Sequence, residues 1–260
     1  MTILDEIIAR KKIDVAQAKQ NVSIQELEFS PYFKRTCISA TESICNPLKS
    51  GIIAEHKRKS PSKGIINPNC TVIDVVEGYE KAGASCISVL TDEPYFGGTI
   101  SDLLIARNRV AIPLLRKDFI VDEYQIVEAK SIGADFILLI AACLQKQQVQ
   151  TYAKLAKSLG LQILLEVHTK EELDVYCPEI DMVGVNNRNL KDFSVDIARS
   201  IELYPLLPNE VVKITESGLH SPQEVKTLKK VGFQGFLMGE NFMKHENPGQ
   251  ACKDFSVQIR

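Results

Sequence analysis

The sequence predicts an α/β chain closed into a (β/α)8 TIM barrel, with an N-terminal helical extension in front of it. Three observations predict this. From Gly51 onward, short β-rich apolar runs alternate with longer helical patterns nearly to the C-terminus. Several runs follow a Gly that stops the preceding helix, as in KAGAS, SIGAD, SLGLQ and VGFQG. No dinucleotide fingerprint follows the first run, which favours closure over the open doubly wound sheet that the same alternation permits.

Residues 2–19 open with Thr2-x-x-Asp5, a capping-box pattern, and then place Ile3, Leu4, Ile7, Ile8, Val15 and Ala18 at helical spacing. This is an amphipathic helix that needs a surface to lie on. Residues 21–50 are weakly periodic and interrupted by Pro31 and Pro47, and read as a linker with short helices. Strands are expected at 51–57, 85–90, 112–117, 135–140, 161–166, 181–186, 211–215 and 234–238. Helical segments are expected near 71–82, 100–109, 122–131, 145–158, 169–176, 194–203, 221–230 and 248–257. The whole chain, 1–260, reads as a single domain in which residues 1–48 cap a barrel of residues 49–260.

With 45% hydrophobic residues in 260, the chain can bury one large core. A formal charge of -2 leaves no basic surplus, which removes the electrostatic support for nucleic-acid or anionic-membrane binding and directs attention to a small-molecule site. Seven scattered cysteines without C-x-x-C fit neither a disulfide framework nor a zinc site and suggest the reducing cytoplasm. The start, MTILDEIIARKK, has acids within its first apolar stretch, so neither a signal peptide nor a membrane span is expected. A monomer is expected, and no cofactor or metal is implied.

In a barrel the active site lies at the C-terminal ends of the strands, and here those ends turn polar. The first run ends Glu55-His56-Lys57, the third at Lys117, the fifth at Glu166, the sixth at Asn186 before Arg188, and the seventh runs into Glu216-Ser217-Gly218. Alternation places Ile53, Glu55 and Lys57 on the inner face and His56 toward the helices. Each end alone could be rim charge or turn chemistry, but Glu166 closes an apolar run and needs a partner. Ser217-Gly218 and Gly239-Glu240 occupy the two loops where barrels often hold phosphate on backbone N–H groups. His168, His220 and His245 lack metal-like spacing and read as unremarkable, and the cysteines read as packing residues.

The stretch IAEHKRKSPSKG, 53–64, resembles the signature of the indole-3-glycerol phosphate synthase family. Thr91-Asp92-x-x-Tyr95-Phe96-Gly97-Gly98, Pro113 to Ile120 (PLLRKDFI), Leu165-Glu166-Val167-His168, Val185 to Leu190 (VNNRNL), Thr215-Glu216-Ser217-Gly218 and Met238-Gly239-Glu240 are similar to that family's segments in order, as is the opening ILDEIIARKK. The resemblance implies a carboxy-lyase of tryptophan biosynthesis. Its substrate is 1-(2-carboxyphenylamino)-1-deoxyribulose 5-phosphate, closed to indole-3-glycerol phosphate with loss of carbon dioxide and water.

It also implies roles. Lys117 is the acid for ring closure, Glu166 and Lys57 divide the dehydration, Glu55 holds Lys57, and Asn186 completes the catalytic set. Ser60, Arg188 and Glu216 orient the substrate, while Ser217, Gly218, Gly239 and Glu240 surround its phosphate, Glu240 through its backbone. Phe96, Phe119 and Leu190, with the N-terminal helix, form the slot for the aromatic ring. Other readings of a barrel with these strand ends are phosphoribosylanthranilate isomerase, a Schiff-base aldolase acting through Lys57 or Lys117, and an inactive scaffold.

Overall fold

The computed structural model describes residues 2–189 and 193–259. Eight strands form the barrel: β1 (Ile52–His56), β2 (Cys86–Leu90), β3 (Leu114–Lys117), β4 (Phe136–Ile140), β5 (Gln162–Val167), β6 (Met182–Asn186), β7 (Val212–Glu216) and β8 (Gly235–Met238). Each runs parallel to its neighbours in the chain, and β8 pairs with β1 to close the ring. The predicted fold is the observed one.

The strands are buried on both faces, as all-parallel sheets require. Alternation sorts their side chains. Ile53, Cys86, Leu115, Phe136, Leu138, Leu164, Met182, Ile214 and Leu237 fill the interior, while Ile52, Ala54, Ile87, Leu114 and Ile137 face the surrounding helices. Above the filled layers the inward positions become polar: Glu55, Ser88, Lys117, Glu166, Asn186 and Glu216. The register places Glu55 beside Ser88 and Asn186 beside Glu216, so these side chains arrive at one height.

The outer layer comprises α2 (Val72–Lys81), α3 (Ile100–Arg109), α4 (Glu123–Ser131), α5 (Lys146–Ser158), α6 (Ala198–Leu203), α7 (Pro222–Val231) and α8 (Pro248–Ile259), after an N-terminal α1 (Ile3–Asn21). Two predicted helices are shorter than expected. The 169–176 segment is a 3-10 stretch, Glu171–Val175, because Pro178, three residues after Val175, bars further helix and leaves too little chain for a stable α-helix. The 194–203 helix starts only at Ala198, since Val195 is held in an antiparallel bridge to Arg188.

The extension spans both ends of the barrel. The Thr2 capping box forms as expected and starts α1, which lies over the polar end. Ala40–Cys45 is a short helix whose Ala40 and Ile44 join the interior layer at the opposite end, with the Ala40 N–H donating to Gln162. Among the described residues, no helix is long and apolar enough to cross a membrane.

Candidate active site

The polar ends of the strands face an open-mouthed cavity roofed by Ile3, Leu4 and Ile7 of α1. Glu55, Lys57, Ser60, Lys117, Glu166, Asn186, Arg188, Glu216, Ser217 and Glu240 all line it. The strands thus bring together nearly every candidate residue. Phe96 and Phe119 form one apolar wall, their ring centroids 5.9 Å apart. Leu190, expected beside them, lies outside the described residues. A smaller adjoining cavity is lined by Ser217, Gly218 and Gly239, with Arg188 and Glu240 at the border.

Lys117 Nζ stands 3.5 Å from Glu166 Oε2 and 3.4 Å from Glu216 Oε2. Lys57 Nζ donates to Glu55 Oε1 at 2.8 Å, and Ser88 Oγ donates to the other Glu55 oxygen at 3.3 Å. Burial by itself would lower the Lys117 pKa. Glu216, Glu166 and Glu55 outweigh it and hold the ammonium above its ordinary value. Burial likewise opposes ionisation of Glu166 and Glu55, but their lysine partners keep both below the usual carboxylate range. Glu216 moves the other way, pushed up to about 8 by burial and by Glu166 and Glu55, against the pull of Lys117.

Three buried carboxylates share two lysines, and Glu216 is the one whose neutral form burial and the neighbouring carboxylates favour. Two glycines make room for this packing. A Cβ on Gly184 would sit 2.5 Å from Glu216 Oε1, and one on Gly239 would sit 2.8 Å from Glu55 Oε1.

Beyond the cluster, the Arg188 N–H donates to Asn186 Oδ1, and Arg188 Nη2 lies 3.8 Å from Glu240. Ser217 adopts φ 65° and Gly218 φ 72°, a left-handed pair that turns the chain after β7. Arg58, next to Lys57, is forked onto Asp102, with Nη2 to Oδ1 at 2.7 Å.

Three supporting residues escaped the sequence reading. Lys11 of α1 is buried and joins Asp92 at 2.9 Å to Asp118 at 2.8 Å. Asp118 also binds Arg116 and Thr91 and accepts the Phe119 N–H, while Asp92 accepts the Tyr95 N–H one residue before Phe96. One ammonium therefore ties the roof to the loops that carry Phe96 and Phe119, and to Asp118, the residue after Lys117. Its signal was present: Ile7, Lys11 and Val15 are spaced as a single buried stripe.

His168, expected to be unremarkable, is buried with Nε2 3.5 Å from Glu166 Oε1 and Nδ1 3.2 Å from Glu172 Oε2. Its signal was parity, since it follows Glu166 by two residues. Asn187 is fully buried and fastens the end of β6 to the Glu216 and Ser217 carbonyls.

Residues 4–255 match the family model described as indole-3-glycerol phosphate synthase. The chain is 46% identical over 261 residues to an indole-3-glycerol phosphate synthase of Bacteroides thetaiotaomicron, covering 99% of each, and 43% identical to one of Acinetobacter baumannii, covering 96% and 94%. Among solved structures it resembles 3-hexulose-6-phosphate synthase of Salmonella typhimurium, with a TM-score of 0.63 at 12% identity over 80% of this chain and 97% of that one, a likeness of fold alone. With its opposed lysines and glutamates under an apolar roof, and with relatives matched from end to end, the chain belongs to the indole-3-glycerol phosphate synthase family.

Proposed function

We propose the following division of labour for the reaction of this family, which the chain carries out as a carboxy-lyase of tryptophan biosynthesis. The substrate, 1-(2-carboxyphenylamino)-1-deoxyribulose 5-phosphate, lies with its ring between Phe96, Phe119 and α1, and its phosphate at Ser217, Gly218, Gly239 and the backbone of Glu240. Ser60, Arg188 and Asn186 orient its carboxylate and hydroxyls. The ring carbon bearing the carboxylate attacks the ketone, and the Lys117 ammonium protonates the oxygen as negative charge develops there. Its raised pKa is no obstacle, because an alkoxide is more basic than an amine.

Departure of carbon dioxide returns the bonding pair to the ring. Lys57 then protonates the leaving hydroxyl while Glu166 removes the carbon-bound proton, which completes the indole. Glu55 holds Lys57 in place, and Glu216 holds Lys117. The reading takes the enzyme as one domain, with residues 1–48 capping the barrel, working as a monomer in the cytoplasm. It requires no cofactor and no metal.

The observation that carries this assignment is Lys117 Nζ held between Glu166 and Glu216 against the aromatic slot. The test is product fluorescence, which is clean because the chain contains no Trp. Lys117→Met and Glu166→Gln should each lower kcat by roughly a hundredfold or more, the usual contribution of a positioned acid or base. A folded variant that keeps kcat within about twofold of wild type defeats the role of that residue.

A further inference from the structure

We infer that His168 is a positioning residue for Glu166, and that Glu172, His168 and Glu166 form the path by which a proton reaches the buried cluster from solvent. The inference rests on the role given to Glu166 above. It begins from the geometry of one carboxylate whose two oxygens have different partners. Glu166 Oε2 faces Lys117, and Oε1 faces His168 Nε2 at 3.5 Å. On its far side the imidazole meets Glu172 through Nδ1, and the same Glu172 oxygen accepts the His168 backbone N–H at 2.7 Å. The ring is therefore clamped at one edge and aimed at Glu166 with the other.

Exposure falls along the same line. The Glu172 side chain is 20% exposed, while His168 and Glu166 are at 6% and 5%. His168 Nε2 is buried without a hydrogen-bond partner. Such a nitrogen is costly unless a contact forms during the reaction, and catalytic contacts are commonly long before substrate tightens them.

Proton balance gives the path its purpose. Ring closure forms a C–C bond and sends the carbonyl pair to oxygen, which takes one proton. Decarboxylation breaks the C–C bond to the carboxylate and leaves that pair in the ring. Dehydration breaks the C–O bond, adds one proton to the departing hydroxide and releases one from carbon. The sum is substrate carboxylate plus one proton giving indole-3-glycerol phosphate, carbon dioxide and water. Whichever lysine acts at each step, the side chains end every turnover one proton short. A proton entering at Glu172 passes to His168, through Oε1 to Glu166, and from Oε2 to Lys117.

The groups facing His168 favour this use. Glu166 lies on its own strand, Glu172 on the 3-10 segment and Glu216 on β7. The Cys143 thiol, after β4, is pushed up to about 12 by burial and then by the same Glu166 and Glu172. Lys117 lies beyond Glu166. Burial would lower the imidazole pKa, but Glu172, Glu166 and Glu216 outweigh it and hold it above its ordinary value of 6.5.

The experiment is the pH dependence of kcat for the intact protein from about pH 5.5 to 9, read by indole fluorescence. Wild type should lose kcat as pH rises through the His168 pKa. His168→Gln keeps a donor near Glu166 but cannot relay. It should lower kcat by about tenfold or more, below the effect of a direct acid or base, leave KM within about twofold, and abolish that alkaline limb. Loss by the same factor at every pH, or no loss, overturns the inference. Should His168→Gln fail to fold, Glu172→Gln decides, since removing that carboxylate should move the limb toward acid; an unmoved limb is fatal to the relay. Glu166→Gln in the same series separates the two layers. Retained turnover there removes the catalytic role of Glu166, whereas a large loss with an unaltered His168→Gln profile removes only the relay.

Discussion

Replacing Lys11 with Met removes the ammonium that Asp92 and Asp118 share, at 2.9 and 2.8 Å, and leaves two buried carboxylates facing an apolar side chain. Asp118 keeps Arg116, at 3.2 Å, and the Thr91 hydroxyl, at 2.6 Å, while Asp92 keeps the Tyr95 N–H at 2.9 Å. The loss is therefore partial. Breaking a buried pair by removing one partner costs about 3–5 kcal/mol, and the surviving contacts place this case near the lower figure. At roughly 2–4 °C per kcal/mol for a chain of this size, Tm should fall by about 6–12 °C. Lys19 supplies the control. Its pair with Asp122, at 2.7 Å, is exposed, so Lys19→Met should cost about 0–1 kcal/mol. KM should also rise in Lys11→Met, because the loops carrying Phe96 and Phe119 lose their common tether. Thermal melts of the two variants that coincide within about 2 °C would refute the tethering argument.

Two pH-dependent predictions follow from the buried titratable groups. Glu216, raised from 4.5 to about 8 chiefly by burial, contributes stability in its neutral form that is complete below pH 4.5 and lost as pH rises through about 8. Glu216→Gln stays neutral and should raise Tm relative to wild type by more at about pH 9 than at about pH 5; an equal difference at both contradicts the assignment. His56 is lowered from 6.5 to about 4, mainly by burial and then by Arg58, against Asp102 and Glu55, so its contribution is complete above pH 6.5 and is lost as pH falls toward about 4. His56→Leu should lose less stability than wild type over that interval, and identical acid profiles count against the neutral buried imidazole.

Much of the site was legible because a strand has a period of two and a barrel keeps its active residues at one end. Those two rules were enough to turn Glu55 and Lys57 inward, send His56 outward and collect Lys117, Glu166, Asn186 and Glu216 on one rim. His168 shares the parity of Glu166, yet a lone histidine without metal-like spacing carries no signal of its partners until the fold closes. Lys11 interrupts an apolar stripe at i and i+4, and an N-terminal lysine looks like solvated charge until a partner is known. The crossover after β5, expected to be helical near 169–176, is a 3-10 stretch over Glu171–Val175, with Pro178 close behind it.

The sequence by itself determined the succession of strands and helices, the faces of the strands and the chemical types gathered at the active end, since these follow from local periodicity and chain order. The tertiary structure decided which charges meet. Lys117 lies 49 residues from Glu166 and 99 from Glu216, and closing the barrel brings both within reach. Folding α1 over the mouth does the same for Lys11 with Asp92 and Asp118. Coulomb energies depend on distance and on exclusion of water, and neither exists along an unfolded chain. The elevated pKa values of Glu216 and Lys117, and the partners of His168, are for that reason properties of the closed barrel.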